Sequence, residues 1–188
     1  MRLNSPRLAP LTDAELDTEA EALVAPMRAQ GRDYNVFRTL ARHPAAMKAF
    51  MGFASYILSH ENSLAARERE ILILRTGFTC GSGYEWSRHV RIGQHAGLTD
   101  AEIDAIKRGP GDPWSDADNS LLRAADSMVA EHFIDESAWQ ALSRHFSEHQ
   151  CIDAILTVGQ YAMVSTFLNS AGVPLDGDVT LDAEMDRR

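Results

Sequence analysis

The stretch Ala65–His89, AAREREILILRTGFTCGSGYEWSRH, decides how the chain folds. Its first half carries the run Ile71-Leu72-Ile73-Leu74 between charged residues, with Phe78 following. No strand-like alternation extends far, so the segment predicts a helix over Ala65–Phe78 that is buried on most sides. Gly81 and Gly83 break it, and a second helix is predicted from about Tyr84 to Ala96, with Gly97 as its C-terminal cap. On that second helix Glu85 and His89 are four residues apart and share one face. A carboxylate beside an imidazole is a ready acid/base pair, because it fixes the tautomer and raises the basicity of the ring. Glu70 joins the pair only if the first helix packs alongside the second.

Working outward, helix signals recur along the rest of the chain. Thr12 with Glu15 reads as a capping box before a helix over Leu16–Arg28. A short helix over Asn35–Arg42 stops at His43-Pro44, since a residue before proline avoids the helical region. Pro44 suits the first turn of the next helix, Ala45–His60, whose apolar stripe includes Met47, Phe50, Phe53, Ile57 and Leu58. Thr99 with Glu102 opens Asp100–Arg108, and Gly109-Pro110-Gly111-Asp112-Pro113 marks a surface loop. Further helices start at Ser115 or Asp116 (to Phe133) and at Asp135 or Glu136 (to Phe146). Ser147 with Gln150 caps the last, which runs to about Ser170 before Gly172 and Pro174. The expectation is an all-α multi-helix bundle in a single domain, residues 1–174, followed by a polar, acidic and disordered tail, residues 175–188.

Composition limits what such a bundle does. With 45% hydrophobic and 24% charged residues, the 188-residue chain reads as a globular protein with a full core. A net charge of −9 and dispersed basic residues argue against nucleic acid as a partner. Apolar runs such as Ile71–Leu74 and Ala154–Val158 are too short to span a bilayer, so no membrane partner is expected. The start, Met1-Arg2-Leu3-Asn4-Ser5-Pro6, lacks a signal peptide's apolar run, which predicts a cytoplasmic protein. Cys80 and Cys151 form no C-x-x-C pair, so they read as isolated thiols and support neither a disulfide framework nor a cysteine zinc site.

Three blocks together resemble the carboxymuconolactone decarboxylase family, which includes the alkylhydroperoxidase D type proteins. They are Arg67–Leu74 (REREILIL), Gly83–His89 (GYEWSRH) and Ala96–Ile103 (AGLTDAEI). The likeness is firmest over Ala65–Arg108 and looser through Leu121–Asp126 and Gly159–Gly172. It implies an all-α fold assembled as a homo-oligomer, a dimer, trimer or hexamer. The family's peroxidase branch places a C-x-x-C pair before a histidine, with a glutamate one helix earlier. The histidine falls on His89 and the glutamate on Glu70, but the cysteine positions fall on Ser82 and Glu85. A serine cannot supply the attacking thiolate and a glutamate cannot resolve it to a disulfide. Cys80 lies two residues before the first of these positions.

The remaining set, Glu70, Ser82, Glu85 and His89 with Tyr84, suits moving protons. The resemblance implies a cofactor-independent lyase or isomerase acting on a small oxygenated acid or lactone of aromatic origin. Loss of CO2 leaves electron density that must enter a conjugated carbonyl and then be protonated. In this reading His89 is the proton donor, Glu85 its orienting partner and Glu70 a second acid/base. Ser82 and Tyr84 are donors to the oxyanion, and Trp86 and Arg88 complete the substrate-binding set. Arg75 and Arg91 are further carboxylate clamps. Other readings stand beside it: Glu85–His89 as an ordinary helix pair, Glu70 as a partner of Arg67, Arg69 or Arg75, Trp86 as a packing or interface anchor, and Tyr161 and Asn169 as core or cap residues. Glu70, Glu85 and His89 would make a metal triad of two carboxylates and one imidazole; no metal and no cofactor are expected. The competing functions are a thiol peroxidase or reductase using Cys80, and an oligomer without catalysis.

Overall fold

The computed structural model describes residues 3–186. Among them are nine α-helices: α1 Thr18–Ala29, α2 Asn35–Leu40, α3 Pro44–Leu58, α4 Ala66–Thr79, α5 Gly83–His95, α6 Asp100–Arg108, α7 Asp116–Glu131, α8 Glu136–His145 and α9 Glu148–Ala171. Short 3₁₀ turns lie at Asp13–Glu15 and Ala183–Met185.

The apolar run of α4 fixes the architecture. Ile71, Leu72, Ile73 and Leu74 are all fully buried, because α5, α7 and α9 pack around the helix. Leu72 and Leu74 join Trp86, Ile106, Leu121, Leu122, Leu142 and Val158 in the main core. Each such side chain contributes about 1.5–3 kcal/mol relative to exposure. A second cluster, with Val24, Met27 and Met47, seats α1 and α3; a third, with Val36, Tyr84, Val164 and Leu168, joins α2, α5 and α9.

The capping signals largely hold. Glu102 Oε2 accepts from the Thr99 N–H at 2.8 Å, and Gln150 Oε1 accepts from the Ser147 N–H at 3.0 Å. At the start of the chain the outcome differs. The Thr12–Glu15 pair closes only the 3₁₀ turn, and Asp17 caps α1 by accepting from the Ala20 N–H at 2.8 Å.

One further expectation is corrected. The segment after Leu175 is not a loose tail over the described residues. Asp176 is buried, Met185 sits in the main core, and Lys107 Nζ reaches Asp182 at 2.7 Å and Glu184 at 3.0 Å. Its acidic composition suggested solvent, but those acids meet Arg88, Arg91 and Lys107 on the helices beneath. By length and composition alone α9, 24 residues with a mean hydropathy of 1.4 in its most apolar stretch, could cross a bilayer, but more than half of that stretch is buried inside the bundle, as in a core helix. Isolated apolar runs understate it, because polar Thr157, Gln160 and Ser165 interrupt them, yet all three are buried in the bundle.

Candidate active site

Two glycines let α4 and α5 approach closely. A Cβ on Gly77 would stand 3.3 Å from Glu85 Cγ, and one on Gly93 would stand 3.2 Å from Leu74 Cδ1 and 3.8 Å from Glu70 Cβ. With neither present, Glu70 on α4 and Glu85 and His89 on α5 meet in one buried cluster. His89 Nδ1 lies 2.8 Å from Glu70 Oε2, and its Nε2 lies 3.0 Å from Glu85 Oε1.

This arrangement dictates protonation. A neutral imidazole has one N–H and one bare nitrogen, so it cannot donate to two carboxylates at once. Burial alone would favour the neutral ring, but the charges of Glu70 and Glu85 and their hydrogen bonds outweigh it. The His89 pKa is raised to about 10. At neutral pH the ring is therefore an imidazolium with a proton directed at each carboxylate. Tyr161 meets the ring edge-on, with centroids 5.0 Å apart. Burial, then the charges of Glu85 and Glu70, push the Tyr161 hydroxyl pKa well up, so it stays protonated.

A cavity of about 500 Å³ opens on one side of the cluster. Its wall is largely apolar, including Phe37, Phe50, Met51, Leu58, Ile92 and Val164. Glu85, His89, Gln160 and Tyr161 break that apolar lining in the interior, and Arg32 and Tyr34 belong to it as well. Glu85 lines the cavity whereas Glu70 does not. That reverses the positions expected of the two carboxylates: Glu70 backs the ring on its Nδ1 side, and Glu85 shares the cavity wall with it.

The other predicted residues divide. Tyr84 and Arg88 line the cavity but are held by the C-terminal segment. Tyr84 Oη donates to Asp176 at 2.5 Å, and Arg88 Nε donates to the same carboxylate at 2.8 Å, with Asp178 taking the far end of the guanidinium. Ser82 and Trp86 lie outside the cavity. Ser82 is fully buried before α5, and its Oγ has no hydrogen-bond partner among the described residues. Trp86 packs against Phe78 in the core and lines a separate cleft of about 450 Å³ beneath the C-terminal segment. The helical period explains this: Trp86 follows Glu85 by one residue, so it points to another side of α5. The clamp candidates Arg75 and Arg91 are engaged by Asp126 and Asp178. Asn169 is a cap, its Nδ2 donating to the Cys80 carbonyl at 3.1 Å.

Sequence reasoning missed Gln160 and Arg32, both in the cavity lining. Gln160 had one signal, its place on α9 immediately before Tyr161. Arg32 had none, because the approach of the α1–α2 connection to the site is a tertiary fact. As metal ligands the three cluster residues fit poorly. The carboxylates address opposite ring nitrogens, so an ion on either nitrogen would gain one of them only.

Comparison with known proteins first defines the class of fold. The alkylhydroperoxidase AhpD core described as an uncharacterized peroxidase-related protein from Ralstonia eutropha JMP134 superposes with a TM-score of 0.75, at 19% identity over 91% of this chain and 94% of that one. An uncharacterized peroxidase-related protein from Silicibacter sp. TM1040 gives 0.75 at 17% identity, covering 94% and 92%. A cysteine-to-alanine variant of the debrominase Bmp8, in complex with 2,3,4-tribromopyrrole, gives 0.74 at 15% identity, covering 97% and 95%. The fold is of the alkylhydroperoxidase D type. Within it, residues 44–126 match the model of the carboxymuconolactone decarboxylase family. No curated protein matches the chain.

Proposed function

We propose that the chain is a cofactor-independent lyase or isomerase acting by proton transfer on a small, largely apolar, oxygenated acid or lactone. One observation carries the reading: both nitrogens of His89 are bonded to buried carboxylates, and the Nε2 pair with Glu85 lies in the wall of the cavity. In a decarboxylation, the bond to the leaving CO2 breaks and its electron pair enters the conjugated carbonyl as an enolate. The carbon then takes the proton shared by His89 Nε2 and Glu85, and solvent restores it. Glu70 holds Nδ1, fixing the ring's orientation and its positive charge. The apolar wall favours departure of a carboxylate as neutral CO2. Glu85 occupies the second cysteine position of the peroxidase branch, which supports proton chemistry over thiol chemistry.

The test is a panel of carboxylated lactones and β-keto acids, followed by CO2 release and by deuterium incorporation from D2O. Replacing His89 by Gln should remove turnover roughly 10²–10⁴-fold with the fold intact. Glu85→Gln should fall between that variant and the parent. Loss of activity in Cys80→Ser with His89→Gln still active would replace this reading by the thiol one.

A further inference from the structure

We infer that Gln160 and Arg32 together select a bifunctional ligand, an acid with an apolar body whose carbonyl oxygen is bound by Gln160 and whose carboxylate is bound by Arg32. The inference rests on the reading of this cavity as the substrate site.

Gln160 is only 3% exposed, lines the cavity, and its Nε2 has no hydrogen-bond partner among the described residues. A buried amide left in that state costs about 1–3 kcal/mol. An apolar side chain of similar length would avoid the cost and pack as well, so the amide is unfavourable for the protein alone. A ligand acceptor in the cavity removes the penalty. Gln160 lines the same cavity as His89 and as Tyr161, which contacts the His89 ring, so an oxygen bound at Gln160 shares the cavity with the proton donor.

Arg32 supplies the second handle. Two arginines line the cavity, Arg32 and Arg88. Arg88 is neutralised by Asp176 and Asp178. Arg32 is exposed, lines the cavity, and has no ion pair among the described residues. The acidic chain, with a net charge of −9, repels anions generally. A carboxylate therefore finds one uncommitted charge at this cavity. The cavity, about 500 Å³, holds a body of one aromatic ring with a short chain.

Three probes separate the two contacts: 4-oxo-4-phenylbutanoate, its methyl ester, and 4-phenylbutanoate, which lacks the ketone. Calorimetry on the parent protein should give roughly tenfold tighter binding of the keto acid than of either analogue, a difference of about 1.4 kcal/mol. Gln160→Met should abolish the preference for the ketone and keep the preference for the free acid. Arg32→Gln should do the reverse. Gln160→Met should also melt at the same temperature as the parent or higher, whereas a structural amide would lower the melting temperature when removed. His89→Gln should keep both preferences, so loss of turnover in that variant and loss of selectivity here are separate outcomes. Equal affinities in the parent, no binding at millimolar concentration, or a Gln160→Met protein that still prefers the ketone would each overturn the inference.

Discussion

Glu85 Oε1 lies 3.0 Å from His89 Nε2, one helical turn away on the same helix, and the contact is buried. On an exposed helix such a pair contributes roughly 0.2–0.5 kcal/mol. Here a second carboxylate on the opposite nitrogen and the exclusion of water change its character. The ring holds its charge well above its usual range and presents one of its two protons in a cavity wall.

Stability should follow that charge. The folded pKa of His89, about 10, lies above its ordinary value of 6.5. Its contribution is complete below about pH 6.5 and is lost as pH rises through about 10. Thermal melts from neutral pH to about pH 10 should therefore fall more steeply for the parent than for His89→Gln. Parallel curves would contradict the assignment.

Gly77 should prove a positioning residue. An alanine there brings a Cβ to 3.3 Å from Glu85 Cγ, tighter than ordinary contact. Glu85 must shift, so turnover in the identified reaction should drop about tenfold or more while the helical circular dichroism is unchanged. Full activity in Gly77→Ala would mean that the Glu85–His89 distance does not matter.

The C-terminal segment should be structural. Asp176 accepts from the Tyr84 hydroxyl, the Arg88 guanidinium and the Asn35 N–H, the last at 2.7 Å. Tyr84→Phe should cost about 1–3 kcal/mol in chemical denaturation, and deletion from Leu175 onward should cost more, since it also removes buried Met185. An undiminished midpoint after that deletion would restore the tail reading.

Self-association is expected: the sequence points to the apolar surface of Ala45–His60 and the residues around Trp86, and Phe53 and Leu58 of α3 are exposed. Trp86 is in the core, whereas Phe133, Trp139, Ile155 and Met163 are exposed on α8, α9 and the α7–α8 connection. Phe133, Trp139 and Ile155 line one cleft, and apolar groups gathered in that way are uncommon on monomers. Light scattering at micromolar concentration should report a dimer or larger species, and Trp139→Glu should weaken it. A monomeric parent protein would refute this.

The helices and the carboxylate–imidazole cluster were legible because each is written in local spacing or in the three family blocks. The four-residue step from Glu85 to His89 places both on one face wherever the helix lies. What escaped was tertiary. Neither glycine's role at the α4–α5 contact, nor the burial of the acidic segment on Arg88 and Lys107, nor the approach of Arg32 to the cavity has a signature in residue order. Trp86 misled for a related reason: neighbours in sequence on a helix diverge by about 100°, so an aromatic beside Glu85 belongs to a different surface.

The measurement that bears most directly on the central claim needs no substrate. In a protein labelled with ¹⁵N histidine, the ring nitrogens of His89, assigned with His89→Gln, are followed from pH 6 upward. Both nitrogens should remain protonated at neutral pH and the ring should titrate near pH 10, with a lower midpoint in Glu70→Gln. A neutral ring at pH 7, titrating at or below its usual value, would contradict it.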